Sequence, residues 1–253
     1  MTVRAIVRPP GKTYARALTG LRPPPPIDLV LAREQHAGYV AALRSCGVEV
    51  TELSADDARP DSVFVQDRVL VLDGQAIVCP SAVASRRGEE ETLLLALDPA
   101  LSVHRLLSPA FLDGGDVLVT EDSVFVGLSE RSNEAAVHEL GSLLAPRRRV
   151  EGVKLHAGLL HLLSGCSYLG GGLLLATDSV RQLAFSARFE TVAVPANEAP
   201  AANVLALGQD VVVPAGYPET AFRLAQRGFR VHPVSVGEFE KRDGGVTCLS
   251  LLF

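Results

Sequence analysis

The chain has 253 residues, 47% of them apolar and 21% charged, the composition of a globular chain with a substantial core. A formal net charge of −5 with scattered basic residues argues against a nucleic-acid surface, and no apolar run is long enough to span a bilayer. Cys46, Cys79, Cys166 and Cys248 lack CxxC spacing, so they read as neither a zinc signature nor a disulfide framework, and a reducing, cytoplasmic setting is expected.

The N-terminus reads as a strand over 4–8 and not as a signal peptide. Residues 9–27 follow without periodicity; such a loop is typically a lid or disordered. Four prolines at 23–26 make a stiff strut, and Leu18 and Leu21 suit the cover of a pocket. A helix is predicted over 31–46, closed by Gly47, and a strand over 48–53. From there one pattern recurs: strand, strand, helix, strand. The first copy has strands at 63–72 and 74–80, a helix at 85–97 with acids in its first turn, and an apolar stretch at 101–107. The second has a hairpin over 113–128 and a helix over 133–144, followed by Arg147, Arg148 and Arg149 in what reads as a solvated loop. The third has strands opening at His161 and Gly172, a helix near 180–189 and a strand over 191–195. The fourth runs from Asn203 through a helix at 218–227 to a strand at 230–234.

A fifth copy is split between the ends of the chain: the apolar run behind Cys248 pairs with 4–8, and the helix at 31–46 and strand at 48–53 complete it. Five units closing through the termini predict a single domain over 1–253 with pseudo-fivefold symmetry; an ordinary α/β sandwich with coincidental spacing is the alternative. In a ring, the residues opening each first strand converge on the axis. They are 61–67, 113–116, His161, Asn203 and Cys248, polar where packing alone would select Val or Leu. Asp243, Gly244 and Gly245 form a turn that delivers Cys248 with no side chains in the way of a ligand.

A Cys, a His and several carboxylates around one cavity divide into nucleophile, acid/base and binding groups. The carboxylates raise the thiol pKa, which disfavours the nucleophile unless the ligand is a cation. Guanidinium is an obvious candidate, since its forked donors match a carboxylate.

The stretches Asp61-Ser-Val-Phe-Val-Gln-Asp67, Leu112-Asp-Gly-Gly-Asp116, Leu160-His-Leu-Leu-Ser-Gly-Cys-Ser167, Ala201-Ala-Asn203 and Asp243-Gly-Gly-Val-Thr-Cys248 together resemble the dimethylarginine dimethylaminohydrolase family of the guanidine-modifying, or pentein, superfamily. The resemblance covers essentially the whole chain. It implies an α/β propeller of five ββαβ blades and hydrolysis of methylated arginine to citrulline, with no cofactor or metal. It also implies Cys248 as nucleophile, His161 as acid and base, and Asp113 orienting His161 or the guanidinium. Asp67 would bind guanidinium nitrogens, Asp61 the substrate side chain's end, and Phe64 the pocket wall. Arg86 and Arg131 match positions that hold the amino-acid carboxylate, Asp243 one that takes the α-amino group, and Leu18 the lid. Arg242, beside Asp243, and Gln66 join the substrate-binding set. Gln66 departs from the family, which commonly carries Glu there, and puts the preference for a dimethylated guanidinium in question. The alternatives are a deiminase or hydrolase of arginine, citrulline or agmatine, an amidinotransferase, or a non-catalytic propeller. The expected partner is a small arginine derivative, with no nucleic acid or membrane, and a monomer or homodimer.

Overall fold

In the computed structural model, which describes residues 2–156 and 158–253, the chain winds into five three-stranded sheets. The first elements are β1 (Arg4–Val7), α1 (Leu29–Ser45) and β2 (Glu49–Glu52). Blade 1 comprises β3 (Val69–Leu72), β4 (Gln75–Val78), α2 (Glu91–Ala96) and β5 (Ser102–Arg105). Blade 2 comprises β6 (Val117–Val119), β7 (Ser123–Leu128), α3 (Glu134–Leu144) and β8 (Arg149–Lys154). Blade 3 comprises β9 (Cys166–Gly170), β10 (Leu173–Ala176), α4 (Asp178–Arg181) and β11 (Glu190–Ala193). Blade 4 comprises β12 (Leu205–Leu207), β13 (Asp210–Pro214), α5 (Pro218–Gln226) and β14 (Arg230–Val234). After the short α6 (Gly237–Glu240), β15 (Ser250–Leu252) joins β1 and β2 as blade 5.

All five blades share one pairing scheme: the first strand is antiparallel to the middle strand, and the middle strand is parallel to the third. A parallel neighbour requires a crossover, which the helix supplies. The middle strands are almost wholly buried and the third strands largely exposed, so each sheet runs from the interior to the rim. Apolar clusters fill the wedges between neighbouring blades: Ile77 and Val124 meet between blades 1 and 2, and Phe125 and Leu174 between blades 2 and 3.

α1 begins at Leu29, before the predicted 31, because the Asp28 carboxylate accepts from the amides of Val30 and Leu31 and caps it. The predicted helix at 85–97 is shorter. Residues 84–86 form a 3-10 turn, Gly88 takes a positive φ of 85°, and the α-helix starts only at Glu91. The helix near 180–189 is split in two; the Ser186 hydroxyl donates to the Arg181 and Leu183 carbonyls at the break. Arg148 is not in a solvated loop: its guanidinium binds both Asp73 oxygens and the Thr120 carbonyl, tying blade 1 to blade 2.

The difference that matters most lies at the inner ends of the blades. Residues expected to open the first strands instead lie in or beside 3-10 turns just before them: Val65–Asp67, Gly114–Asp116, Leu162–Ser164, Ala196–Ala202, which is kinked at Glu198, and Thr247–Leu249. These turns touch one another around the axis. The packing is close enough that a Cβ on Gly114 would lie 2.1 Å from the Gln66 carbonyl oxygen, a contact only glycine avoids.

Candidate active site

The turns surround a cavity of about 300 Å³ lined by Leu18, Asp61, Phe64, Asp67, Arg86, Asp113, Arg131, His161, Arg242, Asp243 and Cys248. Every predicted site residue but one is among them. The exception is Gln66. It lines a separate, mostly apolar cavity with Val69, Val71 and Leu251, and its buried Oε1 has no hydrogen-bond partner. The expectation that Gln66 contacts the substrate is therefore corrected: alternate residues of a tight turn face different sides, and Asp67 takes the side of Cys248.

Asp113 is fully buried. Its Oδ1 is paired with Arg68, whose guanidinium also donates to the Cys79 and Leu112 carbonyls. Its Oδ2 stands 3.4 Å from His161 Nε2, and neither atom has a hydrogen-bond partner of good geometry. A buried acceptor and a buried ring nitrogen left unpaired, both on the cavity wall, are poised for a ligand. Burial lowers the His161 pKa, but contact with Asp113 and the charges of Asp67 and Asp116 outweigh it, and the net shift is upward.

Asp116 positions both turns. Its Oδ1 accepts from the Leu162 amide at 3.1 Å, and its Oδ2 from the Ser129 and Ser132 hydroxyls, each at 2.7 Å. Ser132 Oγ in turn accepts from the Asp113 amide at 3.2 Å. Across the ring, Asn203 donates to the Leu163 carbonyl and to Thr247 Oγ1, and accepts from the Thr247 amide, bracing the turn that carries Cys248.

Cys248 is half-buried, with its Sγ 3.4 Å from the Gly245 amide. Burial, and then the Asp67 charge, push its thiol up to about 12. Asp67 itself is held below the ordinary carboxylate range. Burial opposes that shift, but the nearby Arg86 charge dominates, with Arg86 Nη1 2.6 Å from Oδ2. Oδ1 accepts from the Gly115 amide at 3.0 Å. A carboxylate offers about four lone-pair sites, so Asp67 retains acceptor capacity for a guanidinium.

Arg86 differs from expectation. It is buried, bound through Nε and Nη2 to Glu89 at 3.1 and 2.9 Å, and donates to the Phe64 carbonyl. It has no free fork for a carboxylate and serves as a strut under Asp67. Arg131, with its side chain 20% exposed and only a 4.0 Å approach to Asp113, keeps its guanidinium available to a ligand. Arg242 also lines the cavity, yet its donors go to the Ala15 and Pro25 carbonyls, so it anchors the loop over the site. The same loop is pinned by Leu18 N to Asp61 Oδ1 at 2.9 Å and Gly20 N to Asp243 Oδ2 at 2.6 Å. Phe64 packs edge-on against Tyr14 beneath it.

Residues 27–148 match the family model described as N,N dimethylarginine dimethylhydrolase, eukaryotic. The chain is 34% identical over 250 residues to the N(G),N(G)-dimethylarginine dimethylaminohydrolase of Pseudomonas aeruginosa, covering 98% of both chains. This chain belongs to the dimethylarginine dimethylaminohydrolase family. A relative of the same name in Streptomyces coelicolor is 35% identical over 98% of this chain and 96% of its own. Among solved structures, the Pseudomonas enzyme with its cysteine replaced by serine and complexed with citrulline superposes with a TM-score of 0.94 at 33% identity, over the whole of both chains. The N-terminal domain of ArgZ, a cyanobacterial arginine dihydrolase, superposes at 0.89 with 21% identity, over 100% of this chain and 97% of its own, and shares the fold. The five blades are thus a pentein propeller.

Sequence reasoning missed Arg68 and Glu89. Each left a signal: Arg68 follows Asp67 directly at the head of an apolar run, and Glu89 stands three residues after Arg86.

Proposed function

We propose that this chain hydrolyses Nω-methylated arginine to citrulline and the corresponding methylamine, through a covalent intermediate on Cys248. The observation that supports it best is the shared cavity. A sulfur, an imidazole nitrogen and a carboxylate oxygen, the last two without partners, line a space sized for one amino acid and walled by acids.

In this reading the guanidinium enters against Asp67 and Asp113. Its positive charge offsets the negative field that keeps the Cys248 thiol protonated, and the proton leaves as the cation arrives. The thiolate adds to the guanidinium carbon, forming a C–S bond and a tetrahedral adduct. His161, held protonated by its acidic neighbours, gives a proton to the departing amine as the C–N bond breaks, leaving a thiouronium on sulfur. Now neutral, His161 takes a proton from water. The hydroxide adds to the same carbon, the C–S bond breaks, the hydroxyl proton passes to solvent, and citrulline leaves with Cys248 again a thiolate. Arg131 holds the substrate carboxylate and Asp243 its α-amino group, while Leu18 covers the site.

Two measurements test this reading. Mass spectrometry of enzyme quenched during turnover should show an increment on Cys248 that is the same for mono- and dimethylarginine, because the leaving amine carries the methyl groups away. An increment absent from Cys248, or carried by another residue, would overturn it. Release of dimethylamine rather than ammonia from a mixture of dimethylarginine and arginine separates this activity from that of a deiminase.

A further inference from the structure

Outside the active cavity, three side chains of metal-ligating type meet where β13, β14 and the end of α1 come together. Asp210 opens β13 and pairs in register with Arg230 of β14, and Val212 pairs with His232. Side chains two apart on a strand share a face, so Asp210 and His232 lie on the same one, with His232 Nε2 2.7 Å from Asp210 Oδ1. Helix α1 packs against β14, and its C-terminal capping residue is Cys46. One ligand atom from each of Cys46, Asp210 and His232 lies within 4.8 Å of the others, and all three residues are part-buried.

We infer that Cys46, Asp210 and His232 form a binding site for a thiolate-accepting divalent transition-metal cation of the zinc class, with a fourth position open to water. Sulfur, imidazole and a single carboxylate suit zinc and its neighbours, whereas calcium and magnesium select all-oxygen sets. Zinc–ligand bonds of about 2.0–2.3 Å put two ligand atoms roughly 3.3–3.8 Å apart on a tetrahedron. A spacing of up to 4.8 Å closes by about 1 Å at most, and the 2.7 Å contact of His232 with Asp210 opens by about 0.6 Å, both within the reach of side-chain rotation. Arg230 competes for Asp210, with Nε 2.8 Å from Oδ1 and Nη2 2.5 Å from Oδ2. Its side chain is 67% exposed, so it can release Oδ1 and keep Oδ2. On binding, Cys46 loses its thiol proton to solvent and His232 donates its neutral ring nitrogen. The ion joins blade 4 to the helix of blade 5, beside the blade in which the two ends of the chain meet. Spacing in sequence hides the site, since its ligands come from three separate elements.

The test uses the full chain stripped of metal and carrying Cys248→Ser, so that the active-site sulfur is absent. Titration with Co²⁺ should give a near-ultraviolet thiolate-to-cobalt band saturating at one equivalent and displaced by Zn²⁺. Adding Cys46→Ser should abolish that band. Adding His232→Gln should keep the sulfur but weaken binding about tenfold or more, since even supporting partners contribute about 10–100-fold to metal affinity. Cys79 and Cys166 are fully buried and cannot supply the sulfur in the folded chain. Zn²⁺ should also raise the thermal midpoint of Cys248→Ser, and not that of the double variant. Cobalt bound without a thiolate band, or the same band after Cys46→Ser, overturns the assignment.

Discussion

Replacing Gly115 by alanine adds one methyl group at the most sensitive point of the site. Gly115 does not have a positive φ, so alanine is conformationally permitted there. The obstacle is steric. The new Cβ would lie 2.8 Å from His161 Nδ1, 3.0 Å from its Cγ and 3.2 Å from Asp67 Oδ1. Ordinary contact begins at about 3.5 Å, so the imidazole must retreat by about 0.7 Å. That retreat disturbs the 3.4 Å approach of Nε2 to Asp113 and the line from the ring to the leaving nitrogen. A misplacement near 1 Å costs about 100-fold in rate; the expected loss in kcat is therefore about 10–100-fold, or roughly 1.4–2.7 kcal/mol of barrier. Overpacking adds about 1–3 kcal/mol of destabilisation, which a domain with this core should survive. Citrulline formation at saturating methylarginine reads the first effect, and a thermal melt the second. A folded Gly115→Ala protein with kcat within twofold of the parent would refute the role given to His161 and its placement against this turn.

Asp67→Asn should lower the pH midpoint of Cys248 alkylation by iodoacetamide, because it removes the charge that, after burial, most raises the thiol; turnover should fall at the same time, and an unchanged or higher midpoint would contradict the electrostatic account. By the same logic, a cationic haloacetamidine should outpace the neutral haloacetamide at pH 7, and equal rates would count against a cation-selective site. Arg68→Met leaves the buried Asp113 carboxylate with only His161 at 3.4 Å and arginines no nearer than 4.0 Å; chemical denaturation should show a loss of about 3–5 kcal/mol, and a loss below about 1 kcal/mol would argue against the pair as a structural tie. Asp61→Asn weakens the hold on the Leu18 amide and should raise KM about tenfold, in line with about 1.5 kcal/mol for a hydrogen bond to a charged group. A fall in kcat at constant KM would instead assign Asp61 to the chemistry.

The repeat was legible because each blade carries its own local signals. Asn133 caps α3 by accepting from the Ala136 amide, Gly47 ends α1 with a φ of 80°, and β14 runs over the predicted 230–234. Convergence of the polar motifs followed from the ring. The 3-10 turns were not legible, since a tight turn of Val-Gln-Asp has the same alternation as a strand entering the core. The fate of Arg86 was hidden for a related reason. Periodicity shows a charged residue at a helix start, but only packing reveals that Asp67 and Glu89 close on it from two sides. Gln66 was misplaced with its neighbour Asp67 because motif matching carries no information about which side of a turn each residue faces.

Blades 1 to 4 are each made from consecutive stretches of chain, whereas the strand behind Cys248 pairs with β1 from the other end, Leu252 opposite Ala5. Closing so long a loop carries an entropic penalty that local hairpins avoid, and such contacts form late. On refolding, secondary structure should recover before catalysis, and the regain of turnover then times the meeting of the two ends.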